Sequence, residues 1–142
     1  MRKSVLIVED EYIIAADLKM TVMSLGYAVA GMANNIQDAV ALVKTTPIDV
    51  VLMDIMLSGE LSGIDAAKEI YSNYGIPVIF VTAYTGNDIM EKAIETEPFG
   101  YLIKPYTDKE LYSAIEIALD KYEKIKQLTK INKWYENNYT SY

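Results

Sequence analysis

The chain has 142 residues, 51% of them hydrophobic, with a formal net charge of −7 and neither histidine nor cysteine. This length and composition predict one globular domain with a substantial core. Disulfides, thiolate metal sites and imidazole chemistry are excluded, so any reaction must rest on carboxylates, hydroxyls, lysines or a bound metal.

Direct nucleic-acid binding is disfavoured, because it needs a cationic surface that this acidic chain does not offer. No window reaches the length of a membrane span, and the apolar stretch after Ser4 is too short for a signal segment. We therefore expect a cytoplasmic protein, or the cytoplasmic part of a longer one, with no membrane contact.

Apolar runs typical of buried strands alternate with segments of helical periodicity along the chain. The strands are predicted at residues 5–8, 27–33, 50–54, 77–82 and 99–103, each followed by a helix. Such alternation favours a parallel sheet with helices on both faces. We expect an α/β flavodoxin-like three-layer sandwich of strand order 2-1-3-4-5 with five helices, the last one extended.

Polar side chains end four of these strands. Glu9 and Asp10 follow the first, Asp54 ends the third, Thr82 ends the fourth and Lys104 follows the fifth. Because the carboxyl ends of parallel strands share one edge, these side chains are expected to converge there.

Three carboxylates at one edge repel each other unless a divalent cation lies between them. Oxygen ligands without histidine or cysteine favour Mg²⁺, and Mn²⁺ or Ca²⁺ could substitute. A metal beside Lys104 and Thr82 suits phosphoryl groups, and a carboxylate can attack phosphorus to give an aspartyl phosphate. Asp54 is the carboxylate best placed for that attack.

The chain resembles the receiver domain of two-component response regulators, as in the chemotaxis-regulator-like family. The resemblance covers roughly residues 3 to 120 and rests on motifs in the family's order. These motifs are Glu9-Asp10, Asp54-Ile55-Met56-Leu57, Gly63-Ile64-Asp65, Thr82-Ala83 and Lys104-Pro105.

The resemblance implies that Asp54 is the phosphoacceptor and that Asp10 binds Mg²⁺ directly. Glu9 would contribute through water, and Met56 would offer its backbone carbonyl to the metal. A sensor histidine kinase or phosphotransfer protein would supply the phosphoryl group. The domain would take part in the transfer and in its own dephosphorylation, so it is not an enzyme in the usual sense.

The resemblance also implies a switch. Thr82 would move to the phosphoryl group, and Tyr101 would change rotamer with it, altering the surface of the fourth helix and fifth strand. The Lys104–Pro105 peptide bond would be cis. Met56 and Tyr84 lie at positions that tune dephosphorylation in this family, and their bulk favours slow loss of the phosphoryl group.

The receiver domain is expected to span residues 1–120, followed by a helical extension or linker at 121–142. The helix would project to about Lys133, and residues 137–142 would form a disordered tail. Its target would be a downstream protein or a fused domain. A homodimer through the fourth helix and fifth strand, or through the C-terminal helix, is also compatible with this pattern.

Three other classes of protein fit the sequence less well. A flavin-binding protein would need a hydroxyl- and glycine-rich phosphate loop where Glu9-Asp10-Glu11 stands. An aspartyl phosphatase would usually need a second acid at the position of Met56. An interaction module that leaves phosphorylation unused is the strongest alternative. Gly59, Gly63 and Gly86 are interpreted only as giving backbone freedom.

Overall fold

The computed structural model describes residues 2–59 and 62–139, in which strands and helices alternate along the chain. The strands are β1 (Ser4–Val8), β2 (Ala28–Ala33), β3 (Val50–Met53), β4 (Val78–Thr82) and β5 (Gly100–Ile103). The helices are α1 (Tyr12–Ser24), α2 (Ile36–Thr45), α3 (Ser62–Tyr74), α4 (Asn87–Glu95) and α5 (Asp108–Tyr139).

The five strands form one parallel sheet in the order β2-β1-β3-β4-β5. In its register Val8 pairs with Met53 and Thr82 pairs with Ile103, so neighbouring strands end at a common edge. The flavodoxin-like order predicted from the sequence is confirmed, and the strand ends that carry the polar residues do meet.

Two hydrophobic clusters cover the two faces of the sheet. Alternate residues of each strand point to opposite faces, so Leu6 and Val8 belong to one cluster while Val5 and Ile7 belong to the other. The first cluster packs against α2, α3 and α4, and the second packs against α1 and α5. The expected three layers therefore follow from the alternation of the strands.

The last helix, α5, has 32 residues, a length of roughly 48 Å at the usual rise of an α-helix. Only its first part packs on the sheet, through the buried Leu111, Ile115 and Ala118. The helix continues through Tyr139, beyond residue 137 where the sequence suggested an irregular tail, and residues 140–142 lie outside the described residues. Within the described ranges no helix has the length and apolarity needed to cross a membrane.

Candidate functional site

Backbone hydrogen bonds continue the parallel ladder one residue past the strands and position the polar residues of the edge. The N–H of Asp54 donates to the carbonyl of Val8 at 3.0 Å, and the N–H of Lys104 donates to the carbonyl of Thr82 at 2.9 Å. The backbones of Asp54 and Lys104 are therefore held by the same kind of hydrogen bond that joins the strands.

Three carboxylates meet at this edge, as the sequence predicts. One oxygen of each of Glu9, Asp10 and Asp54 lies within 4.8 Å of the others. Glu9 is almost fully buried, with 4% of its surface exposed. A set of carboxylate oxygens this close together fits Mg²⁺, and Mn²⁺ shares the same ligand preference.

Lys104 partly neutralises the cluster. Its Nζ lies 2.7 Å from Glu9 Oε1 and 3.4 Å from Asp54 Oδ2. Burial is the main reason that the pKa of Glu9 rises to about 7; the nearby Asp54 adds to the rise and Lys104 opposes it. For Lys104, burial favours the neutral amine, but the hydrogen bond that its ammonium donates to Glu9 and the charges of both acids outweigh this effect and raise the pKa of Lys104.

The loop after β3 contributes two backbone donors. The N–H of Met56 donates to Asp54 Oδ1 at 3.2 Å, and the N–H of Ser58 donates to Asp10 Oδ2 at 2.8 Å. Ser58 has a φ of 56°, and this left-handed backbone accompanies its contact with Asp10. Ser58 was missed by sequence reasoning, and the only signal for it is the Ser58-Gly59 pair, which is typical of a turn.

Gly63 brings the start of α3 against the backbone of the site. Its N–H donates to the carbonyl of Ile55 at 2.9 Å. A Cβ built on Gly63 would lie 2.0 Å from the backbone oxygen of Asp54 and 2.8 Å from Ile55 Cα. No side chain fits there, so Gly63 is required for close packing, which is more than the backbone freedom predicted from the sequence.

A chain of hydrogen bonds joins Thr82 to Tyr101. Thr82 is buried, and its Oγ1 accepts from the N–H of Tyr84 at 3.1 Å. The hydroxyl of Tyr101 donates to the backbone oxygen of Tyr84 at 3.3 Å, while its ring packs edge-on against Phe80. Burial raises the pKa of the Tyr101 hydroxyl. The backbone of Tyr84 thus connects both predicted switch residues.

A cavity of about 370 Å³ opens above the edge. Its lining includes Asp54, Thr82, Lys104 and both residues predicted to tune dephosphorylation, Met56 and Tyr84. The peptide bond that follows Lys104 is cis. The cavity leaves room for a small anionic group beside Asp54.

A doubly wound parallel sheet thus gathers acids, a hydroxyl and a lysine at its carboxyl edge, which is where open α/β sheets bind their ligands. The chain matches the family model of the response regulator receiver domain over residues 5–116. It belongs to that family, and it is the receiver domain of a two-component response regulator.

Similar proteins include the transcriptional regulatory protein PdtaR of Mycobacterium tuberculosis, 36% identical over 126 residues, which are 89% of this chain and 61% of PdtaR. The phyllosphere-induced regulator PhyR of Methylorubrum extorquens is 33% identical over 120 residues, 84% of this chain and 44% of PhyR. The chain thus spans less than two thirds of the length of either regulator.

Among solved structures, the chain is similar to the signal receiver domain of a modulated diguanylate cyclase from Desulfovibrio desulfuricans. The two are 36% identical with a TM-score of 0.81, over 87% of this chain and 98% of that one. It is also similar to the N-terminal domain of a response regulator/sensory box/GGDEF protein from Carboxydothermus hydrogenoformans, at 34% identity and a TM-score of 0.76, over 85% and 97% of the two chains.

Proposed function

We propose that this receiver domain accepts a phosphoryl group on Asp54 in a Mg²⁺-dependent reaction, and that the aspartyl phosphate switches the surface around α4 and β5. The observation that carries the proposal is the gathering of Glu9, Asp10 and Asp54 within 4.8 Å of one another, with Lys104 Nζ 2.7 Å from Glu9 and 3.4 Å from Asp54. These 142 residues contain no histidine, and the phosphohistidine would come from a sensor histidine kinase or phosphotransfer protein.

The acidic cluster would hold the metal through Glu9, Asp10, Asp54 and the backbone carbonyl of Met56. When bound, Mg²⁺ or Mn²⁺ would supply positive charge to the phosphoryl oxygens. Asp10 is already oriented by its hydrogen bond from Ser58, so its carboxylate is held at the edge before any ion arrives. Glu9 is held by Lys104 in the same way.

Phosphoryl transfer requires one bond to form and one to break. An oxygen of Asp54 attacks phosphorus while the bond from phosphorus to the donor's histidine nitrogen breaks, and that nitrogen keeps the electron pair. Lys104 stabilises negative charge on the phosphoryl oxygens, and the hydroxyl of Thr82 donates a hydrogen bond to one of them. The domain also takes part in hydrolysing its own aspartyl phosphate.

The switch starts from Thr82. When its hydroxyl turns to the phosphoryl group, the bond that Oγ1 accepts from Tyr84 is lost, and the Tyr84 backbone that Tyr101 contacts is free to move. The neighbouring α4 buries only Ile89 and Ala93 among its residues, so little apolar packing opposes its displacement. The changed surface of α4 and β5 would act on a downstream protein or fused domain.

A docking surface for the phosphodonor lies beside the site, on α1. This helix begins two residues after Asp10 and exposes large apolar side chains on the side away from the sheet, namely Tyr12, Ile13, Met20 and Met23. Methionine-rich apolar surfaces adapt to partner helices. We place the sensor histidine kinase or phosphotransfer protein here, because it must bring its histidine to Asp54.

We propose that the receiver domain spans residues 1–120 and that residues 121–142 form a helical connector. The domain works in the cytoplasm, as part of a longer regulator or with a separate output protein. It makes no direct contact with nucleic acid or membrane, since its own charge is −7.

Beryllofluoride tests the site and the switch together, because with Mg²⁺ it mimics a phosphoryl group on a carboxylate. The backbone amide signals of Thr82, Tyr84 and Tyr101 should shift only when both reagents are present. Asp54→Asn should abolish the shifts. Shifts that persist in Asp54→Asn, or Mg²⁺ binding with no effect of beryllofluoride, would refute the assigned phosphoacceptor.

A further inference from the structure

Two separate faces of α5 carry regularly spaced apolar residues. The first face packs on the hydrophobic cluster that covers one side of the sheet, and it includes Leu111, Ile115, Ala118, Tyr122 and Ile125. The next apolar residue is Leu128, only three positions after Ile125, and it leaves this face. From Lys126 to Asn138 every residue is largely exposed to solvent.

The second face has the spacing of a coiled-coil seam. Positions 117, 121, 124, 128, 131 and 135 alternate steps of four and three residues, which keeps them on one side of a helix. Four of these positions are apolar or aromatic, and the other two are Lys121 and Lys124. Ile117, Leu128 and Ile131 are 64%, 59% and 50% exposed. This stripe is rotated by roughly 130° from the face that packs on the sheet.

We propose that this second face binds the same face of a second copy of the chain, forming a parallel two-helix coiled coil that begins at Leu128. The contact includes Leu128 and Ile131, with Tyr135 at the following seam position. The inference rests on α5 alone, and it needs neither phosphorylation nor Mg²⁺.

The distribution of charge favours a second copy as the occupant. The positions that flank the seam are Gln127, Asn132 and Trp134, none of which is charged, so two copies meet without repulsion. Lys126, Lys130 and Lys133 form their own stripe roughly 160° away, on the outside of such a dimer. An anionic membrane or an acidic partner would bind the lysine stripe, which carries no large apolar side chain.

The N-terminal part of the seam already makes contacts within the chain. Lys121 Nζ lies 5.0 Å from the centre of the Phe99 ring, and Lys124 Nζ lies 2.9 Å from Asp120 Oδ2. Two lysines at seam positions also disfavour close approach of two helices. The contact is therefore short and should be weak in isolation, with dissociation at low protein concentration.

Single cysteines test the geometry, because the chain has none of its own. A parallel seam brings equivalent residues of two helices to within the roughly 4.4–6.8 Å Cα separation that a disulfide spans. Under mild oxidation at high protein concentration, Leu128→Cys and Ile131→Cys should each cross-link at least tenfold faster than Lys130→Cys and Lys133→Cys. Equal cross-linking rates for the seam variants and the lysine variants would overturn the proposal. Cross-linking of only one of the two seam variants would also overturn it, because that result indicates antiparallel helices.

Sedimentation of the unmodified chain gives a second measurement. The dimer fraction should rise with protein concentration, and the double variant Leu128→Glu/Ile131→Glu should remain monomeric. Lys130→Gln/Lys133→Gln is the matched control, because it changes the net charge equally on the opposite face and should still dimerise. A monomeric wild type at every concentration would overturn the proposal. So would binding to anionic lipid vesicles that the control pair abolishes, since the lysine stripe would then be the functional face.

Discussion

The Lys104 ammonium lies 2.7 Å from Glu9 Oε1, closer than the 3.4 Å that separates it from Asp54 Oδ2. Lys104 is therefore held mainly by a carboxylate that we assign to the cation. A cation that attracts Glu9 would release Lys104 towards the phosphoryl oxygens on Asp54. The positions of metal and lysine are thus coupled through Glu9.

Lys104→Ala should leave phosphorylation of Asp54 measurable but abolish the switch. We expect loading to slow by about tenfold or more, because one stabilising charge is lost from the transition state. The amide shifts of Thr82 and Tyr101 on phosphorylation should disappear. The exposed Lys109→Ala is the control and should behave as wild type. Wild-type shifts in Lys104→Ala would contradict the role given to this lysine.

The pKa of Glu9 predicts a pH dependence. Burial raises that pKa to about 7 from the usual 4.5 of a glutamate, so in a chelator the folded state binds more protons than the unfolded state between these two pH values. The contribution of Glu9 to stability should therefore fall as pH rises through this window. Bound Mg²⁺ should reverse the trend, because it favours the ionised carboxylate.

The measurement is the free energy of unfolding against pH, with a chelator and with Mg²⁺, for wild type and Glu9→Gln. In the chelator, the difference between the two proteins should depend on pH between 4.5 and about 7 and level off on either side of this window. A difference that is flat with pH in the chelator would show that Glu9 is ionised throughout.

Gly63→Ala should be strongly destabilising, because its Cβ would meet the backbone oxygen of Asp54 at 2.0 Å. Backbone must shift to relieve this overlap, and we expect a loss of about 3 kcal/mol or more. Gly59→Ala is the comparison: it has a φ of +78° but nothing within 4 Å, and it should lose about 1–2 kcal/mol. Urea unfolding measures both, and equal losses would argue against close packing at Gly63.

Tyr84→Ala should speed hydrolysis of the aspartyl phosphate severalfold. The Tyr84 side chain lines the cavity over Asp54 and is 40% exposed, so removing it should admit water. Tyr112→Ala changes a tyrosine of similar exposure, 43%, outside the cavity lining, and should leave the rate unchanged. Decay of the phosphorylated protein followed by mass gives the rate, and an unchanged rate in Tyr84→Ala would mean that Tyr84 does not restrict water.

The strand order and the gathering of Glu9, Asp10 and Asp54 could be predicted from sequence. Both depend on local pattern and on the rule that parallel strands share a carboxyl edge. Continuous apolar runs such as Val50–Met53 identify strands buried on both faces, and the residue after each run then lies at the site.

The close approach of Gly63 could not be predicted, because it depends on where α3 crosses the backbone of Asp54. A glycine in the sequence indicates only that the backbone is conformationally free at that position. Tertiary packing decides whether the glycine serves a turn or a close contact. The pairing of Lys104 with Glu9 could not be predicted either, because it also depends on tertiary packing. Both acids lie within reach of a flexible lysine, and only the packed edge determines which is nearer.

The continuation of α5 to Tyr139 was underestimated for a different reason. Polar residues such as Asn137 weaken a helix locally, but here they continue one that packing has already nucleated at Leu111. Propensity read over a few residues does not include that long-range support.

The most direct measurement is the intact mass of the protein after incubation with a small-molecule phosphodonor, with Mg²⁺ and with a chelator. Wild type should gain one phosphoryl group only with Mg²⁺, and Asp54→Asn should gain none. A phosphoryl adduct in Asp54→Asn, or one that forms equally well in the chelator, would contradict Mg²⁺-dependent phosphorylation of Asp54.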